Sequence, residues 1–158
     1  RALEEAGAET DRLDPAEHLT ALSEGAVAGE PGEAFQPVVS RVAAAEGALL
    51  VTPEYHGSFS GVMKLVLDNL GYPSVLRGKP VGVVSLGASR FCGPRPADGL
   101  NSVLSHMRAR PFGRFLFLPS VYEQITAEGT LADPETAREV GDFVDEYLRF
   151  ARCVRGDE

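Results

Sequence analysis

The sequence predicts an α/β domain, a parallel sheet covered by helices on both faces. Three observations predict it. Apolar runs of strand length recur at residues 48–51, 80–86 and 114–118, too continuous for strands with one wet face and suited to a buried parallel sheet. Between and after them lie longer stretches whose apolar residues return every three or four positions, as in helices that cover a sheet. The 158 residues, 44% of them apolar, suffice for a real core, and no segment repeats. We therefore expect a single domain over residues 1–158.

In chain order, residues 1–6 favour a helix and Gly7 suits its C-cap. Residues 8–13 are a weak strand candidate, closed by Asp14-Pro15. Residues 16–32 read as an irregular surface connection with room for a short helical turn. Phe35, Val38, Val39, Val42 and Ala43 repeat at helical spacing, so a helix runs to about residue 46, with Pro37 tolerated in its first turn. The strand at 48–51 is stopped by Pro53, and a turn-forming loop spans 52–60. A helix follows over 61–70. Its Val62, Met63, Val66, Leu67 and Leu70 make a face wider than the roughly 100° stripe that covering a sheet requires. Two readings stay open there: packing against another chain, or a helix tucked deeper into its own domain.

A loop over 72–79 leads to the strand at 80–86, which runs into a second glycine-containing loop, 87–94. Residues 97–110 form a helix with Leu100, Val103, Leu104 and Met107 on one side, and the strand at 114–118 ends at Pro119. Asp133-Pro134-Glu135 opens the last helix with an N-cap, a proline at the first position and an acid in the first turn. Val140, Phe143, Val144, Tyr147, Leu148 and Ala151 form its packing stripe.

The formal net charge of −8 argues against nucleic acid or an anionic membrane as partner, and no apolar run is long enough to span a bilayer. Cys92 and Cys153 fit neither a metal nor a CxxC spacing, so a reduced, cytoplasmic protein is the simplest reading. His18, His56 and His106 lack the companions of a metal site. Ser58 and Ser60 do not form a Gly-x-Ser-x-Gly elbow. Glu4-Glu5 and the Glu9, Asp11 pair read as solvated charge.

The run Thr52-Pro53-Glu54-Tyr55-His56-Gly57-Ser58, followed by Gly61-Val62-Met63-Lys64 and Leu67-Asp68, resembles the signature segment of the NADPH-dependent FMN reductase family. That family comprises flavin, quinone, azo and chromate reductases, and weaker similarity extends from about Arg1 to Pro119. The resemblance implies a flavodoxin-like three-layer sandwich, whose strand order 2-1-3-4-5 puts the first strand in the middle. Residues 8–13 then correspond to the family's second strand. The opening strand and its Gly-Ser-x-Arg phosphate loop have no counterpart here. A sheet without its central strand leaves costly unpaired N–H and C=O groups. The chain as given is therefore expected to lack an N-terminal piece.

The resemblance also implies two cofactors, FMN and NADPH, and assigns cofactor-binding residues to two loops. In the first, Pro53, Glu54, Tyr55, His56, Gly57 and Ser58 line the isoalloxazine, largely through main-chain atoms, where glycine and short polar residues let N–H donors approach a flat ring. Without the resemblance, an ordinary strand-to-helix turn remains the simpler account. In the second, Ser85 and Gly87 match the loop that approaches the ring and ribityl chain, whereas 91–96 departs from the family's small-residue pattern. Arg90 or Arg95 is placed to meet an NADPH phosphate, although a solvated arginine is the commoner outcome. Cys92 reads as structural or incidental.

The implied activity is hydride transfer from NADPH, or NADH, to flavin N5, then on to a small acceptor such as a flavin, a quinone or an azo compound. No side chain need be a strong acid or base, so no catalytic residue is assigned. The helix at 61–70 predicts a homodimer or homotetramer. The competing reading is a non-catalytic, flavin-free or weakly flavin-binding oligomeric relative with a structural or regulatory role. It is favoured by the absent phosphate loop and the altered residues 91–96. A hydrolase using a serine near Gly57 has no visible triad.

Overall fold

The computed structural model describes residues 1–23 and 31–156. In chain order its elements are α1 (Ala2–Glu5), α2 (Leu19–Ser23), α3 (Gln36–Ala44), β1 (Ala48–Tyr55), β2 (Ser58–Phe59), α4 (Gly61–Asp68), β3 (Pro80–Leu86), α5 (Pro94–His106), β4 (Arg110–Leu118), α6 (Val121–Gln124) and α7 (Pro134–Arg155). Single 3₁₀ turns at Pro15–His18 and Glu33–Phe35 lead into α2 and α3.

The strands form one sheet in the order β2-β1-β3-β4. β1, β3 and β4 run parallel, and β2 folds back antiparallel on the end of β1. Beneath one face, α2 to α5 bury Leu22, Phe35, Val38, Met63, Val66, Leu67, Leu100 and Leu104 against Val81 and Val83. On the other face α7 sets Phe143 and Val144 against Val84, Leu116 and Leu118, with Leu3 of α1 packed alongside. The alternation of strand and helix thus closes into three layers, as the periodicity predicts.

Several boundaries differ from the sequence-based expectation, each for a physical reason. Residues 8–13 form no strand. The Arg41 guanidinium draws this segment towards α3, donating to the Asp11 carboxylate at 2.9 Å and to the Arg12 carbonyl at 3.2 Å, and no described strand pairs with it. Pro53 does not stop β1, which continues to Tyr55. From Ala48 to Pro53 this strand pairs only with β3, and its other edge has no partner among the described residues. At such an edge a missing N–H removes no ladder bond. α5 starts at Pro94 and ends at His106, earlier at both ends than expected, and β4 begins at Arg110. The register slip opposite Gly82 bulges β4 and turns Phe112 onto Phe143 and Phe150 of α7, at centroid distances of 5.7 and 5.2 Å. Of the connection expected at 16–32, the first part is the 3₁₀ turn and α2, and residues 24–30 lie outside the described set.

α4 is narrower as a docking face than its sequence implies. Met63, Val66, Leu67 and Leu70 are buried in the domain's own core, which leaves Val62 39% exposed and Leu65 half-buried.

Candidate functional site

The carboxyl ends of β1 and β3 lie side by side, with Thr52 paired to Ser85 and Pro53 to Leu86. In open α/β sheets this edge is where ligands bind. The expected loop after β1 is a tight hairpin. Tyr55 pairs with Ser58 across His56 and Gly57, which have φ of +49° and +76°. Two consecutive positive φ values define the turn whose twist matches paired strands, and Gly57 takes the second at no steric cost. The hairpin is anchored from behind. The Ser60 N–H donates to the buried Thr52 hydroxyl oxygen at 3.1 Å, and Ser60 Oγ accepts from the Met63 N–H at 3.1 Å as the N-cap of α4. Tyr55 is left 62% exposed at the tip, and His56 and Ser58 are exposed beside it.

The second loop is held differently. Ser85 is fully buried, with its hydroxyl 3.7 Å from Cys92 Sγ. Gly87 is buried too. Its N–H donates to the Leu118 carbonyl and its carbonyl accepts from the Val121 N–H, and a Cβ there would lie 2.8 Å from Cys92 Cβ. Side chain and main chain at these two positions therefore serve the loop itself. Its exposed part is 88–91, where the Arg90 guanidinium stacks 4.6 Å above the Phe91 ring centroid. Burial pushes the Cys92 thiol up, which makes it a poor nucleophile and agrees with its structural reading.

One contact joins the two loops. The Glu54 carboxylate accepts the Gly93 N–H at 3.0 Å and forms an ion pair with Arg95. The Gly93 N–H above all, then the Arg95 guanidinium, hold this carboxyl below the usual range against the opposing effect of burial. Arg95 is thus neither simply solvated nor free for a phosphate, and its aliphatic chain passes 3.6 Å from the position of a Cβ on Gly57. Sequence reasoning passed over Gly93, Arg95 and the Glu54 side chain as a set. The signal was present in Gly93-Pro94-Arg95-Pro96: a helix start with no side-chain cap must find an acceptor elsewhere.

These residues can be tested against the needs of FMN. A flat ring needs main-chain N–H donors, close backbone approach and an apolar surface; the open hairpin tip with Gly57 and Tyr55 fits. The phosphate needs several donors or a free cation. The start of α5 supplies neither, because Arg95 is engaged and Pro94 and Pro96 carry no N–H, whereas the exposed Arg90 guanidinium, stacked on Phe91, is held by no carboxylate among the described residues. Two clefts elsewhere have other linings. One of about 270 Å³ between β4 and α7 presents Asp133, Glu135 and Glu139, and one of about 470 Å³ at the opposite edge of the sheet presents Arg77, Arg108 and Arg110. Among the described residues there is no cluster of metal-ligating side chains and no helix long and apolar enough to cross a membrane.

Comparison with known proteins bears on the family and the fold. The family model described as NADPH-dependent FMN reductase matches residues 1–123. An NAD(P)H-dependent FMN reductase of Pseudomonas aeruginosa is 31% identical over 129 residues, covering 77% of this chain and 70% of the relative. A 2-hydroxy-1,4-benzoquinone reductase of a Burkholderia species is 30% identical over 126 residues, covering 73% and 65%. The matches thus span about two thirds of those relatives' length. Among solved structures, the apo form of an NADH:FMN oxidoreductase superposes with a TM-score of 0.69 at 22% identity, over 92% of this chain and 75% of the other, which shows a shared fold. With the signature hairpin, its neighbouring loop and the family match agreeing, the chain belongs to the NADPH-dependent FMN reductase family.

Proposed function

We propose that the chain is an FMN-dependent NAD(P)H oxidoreductase that passes hydride from NADPH to a small acceptor such as a flavin, a quinone or an azo compound. The single observation that carries this reading is the hairpin 53–58, held against the β3–α5 loop at the carboxyl edge of the sheet by the Glu54 contacts. Bound FMN supplies the two-electron chemistry at its N5 atom. The chain's own residues do the rest. Main-chain groups of Pro53, Glu54, Tyr55, His56, Gly57 and Ser58 position the ring, with Tyr55 as an aromatic surface, while Ser85 and Gly87 shape the second wall from behind it. No side chain acts as acid or base.

A cytoplasmic setting is supported by the free thiols of Cys92 and Cys153. A homodimer or homotetramer through α4 would use Val62 and Leu65, the part of its face not consumed by the core. The second reading, a non-catalytic relative, is favoured by one observation: Arg95 and the start of α5 are committed to Glu54, which takes that helix N-terminus out of use for a phosphate.

Titration with FMN, followed by quenching of flavin fluorescence, separates the two. Saturable binding at micromolar concentration or below, followed by NADPH oxidation that depends on added quinone or flavin, supports the oxidoreductase. A protein that leaves FMN fluorescence unchanged, both as this chain and as any longer product of its gene, overturns it.

A further inference from the structure

α5 begins in an unusual way. Its N-cap is Gly93, which has no side chain to cap with, and its first and third positions are Pro94 and Pro96. A helix start leaves four N–H groups without intrahelical partners. Here the prolines remove two, and only the donors of Gly93 and Arg95 remain. The Gly93 N–H goes to Glu54 Oε2 at 3.0 Å, and Glu54 Oε1 takes the Arg95 guanidinium. The acceptor comes from the end of β1, 39 residues earlier, and its side chain is 8% exposed. A carboxylate in this place also complements the positive end of the helix macrodipole. The position where α/β folds often hold a ligand's anionic group is therefore filled by the chain's own carboxylate.

We propose that the Glu54 side chain has a positioning role: its carboxylate is the borrowed N-cap of α5 and fixes the separation of the two loops, shaping the flavin site without itself touching the flavin that the Glu54 main chain meets. This rests on the reading of the hairpin as a flavin site. It also deepens that reading. The start of α5 holds no cofactor phosphate, because a phosphate there would meet a carboxylate of like charge.

Three variants grade the contact. Glu54→Ala loses both bonds, Glu54→Gln keeps an oxygen for Gly93 but loses the charge that holds Arg95, and Arg95→Ala keeps the Gly93 bond. Two readouts are taken on each. The first is amide hydrogen exchange at Gly93 and the following turn without flavin, with β3 as internal reference. The second is the FMN dissociation constant, together with the visible absorption band of the bound flavin. Exchange at Gly93 relative to β3 is expected to rise about tenfold or more in Glu54→Ala and less in the other two. FMN affinity should fall in the same order, and the bound-flavin band should shift. Unchanged exchange at Gly93 overturns the borrowed cap. Faster exchange with unaltered FMN affinity and band overturns the positioning role. If neither the unsubstituted chain nor any longer product of its gene binds FMN while exchange follows the expected order, the flavin reading has failed and the cap stands. Should Glu54→Ala not fold, Glu54→Gln and Arg95→Ala still decide between these outcomes.

Discussion

Gly57 and His56 share one turn but tolerate change differently. Gly57 has φ of +76°, and a Cβ there would meet only the Arg95 chain at 3.6 Å, an ordinary contact. Space is therefore not the constraint, and backbone conformation is. Gly57→Ala is expected to cost about 1–2 kcal/mol and to lower the thermal midpoint by several degrees. His56→Gly, which removes a side chain from a left-handed position, should leave the midpoint unchanged or slightly raised. A melting curve of each variant checks both. At this scale the sequence was legible where chemistry is local. The run from Pro53 to Ser58 announced a turn and a site. It did not announce that Ser85 faces Cys92 or that Arg95 reaches Glu54, since those contacts join residues far apart in the chain and depend on how the strands pair.

The elements that could be read were those whose signals lie within a few residues. α7 starts at its Asp133 cap, whose carboxylate accepts the Thr136 N–H at 2.8 Å, and buries the stripe seen in its sequence. Proline was a sound guide at Pro37, Pro119 and Pro134 and a poor one at three other positions. Pro53 sits inside β1 because that edge of the strand is unpaired, and Pro94 and Pro96 sit inside α5 because a first turn has no use for their N–H groups. The span of β4 was equally hidden, since a bulge depends on a partner strand. Ser60 tests the link between hairpin and helix. Ser60→Ala removes the N-cap of α4 and should destabilise the fold by about 1 kcal/mol in chemical denaturation. An effect below about 0.3 kcal/mol would show that the cap is replaced by water.

For the molecule as a whole, Tyr147 reports whether the layers stay together. Its hydroxyl, reached from α7, donates to the carbonyls of Ala48 and Pro80 at 3.1 and 3.2 Å, at the start of β1 and of β3. Burial pushes its pKa from the ordinary 10.0 up to about 12, outweighing the Ala48 bond. Since the folded value is the higher one, its contribution is complete below pH 10 and is lost as pH rises towards 12. That loss amounts to about 3 kcal/mol for a shift of this size. Denaturant midpoints measured from pH 9 to 12 should fall in the native chain and fall less in Tyr147→Phe. The overall architecture was legible because alternating periodicities survive any error in boundaries. The strand count was not, because pairing is a property of neighbours. That leaves the outer edge of β1, where Val51 stands 53% exposed beside carbonyl and amide groups that no described strand uses. An unpaired edge of this kind is a template for another strand, from the same protein or from a second copy, and the net charge of −8 opposes the approach of a copy. Ionic strength then works against colloidal stability, because screening removes the repulsion and leaves the ladder intact.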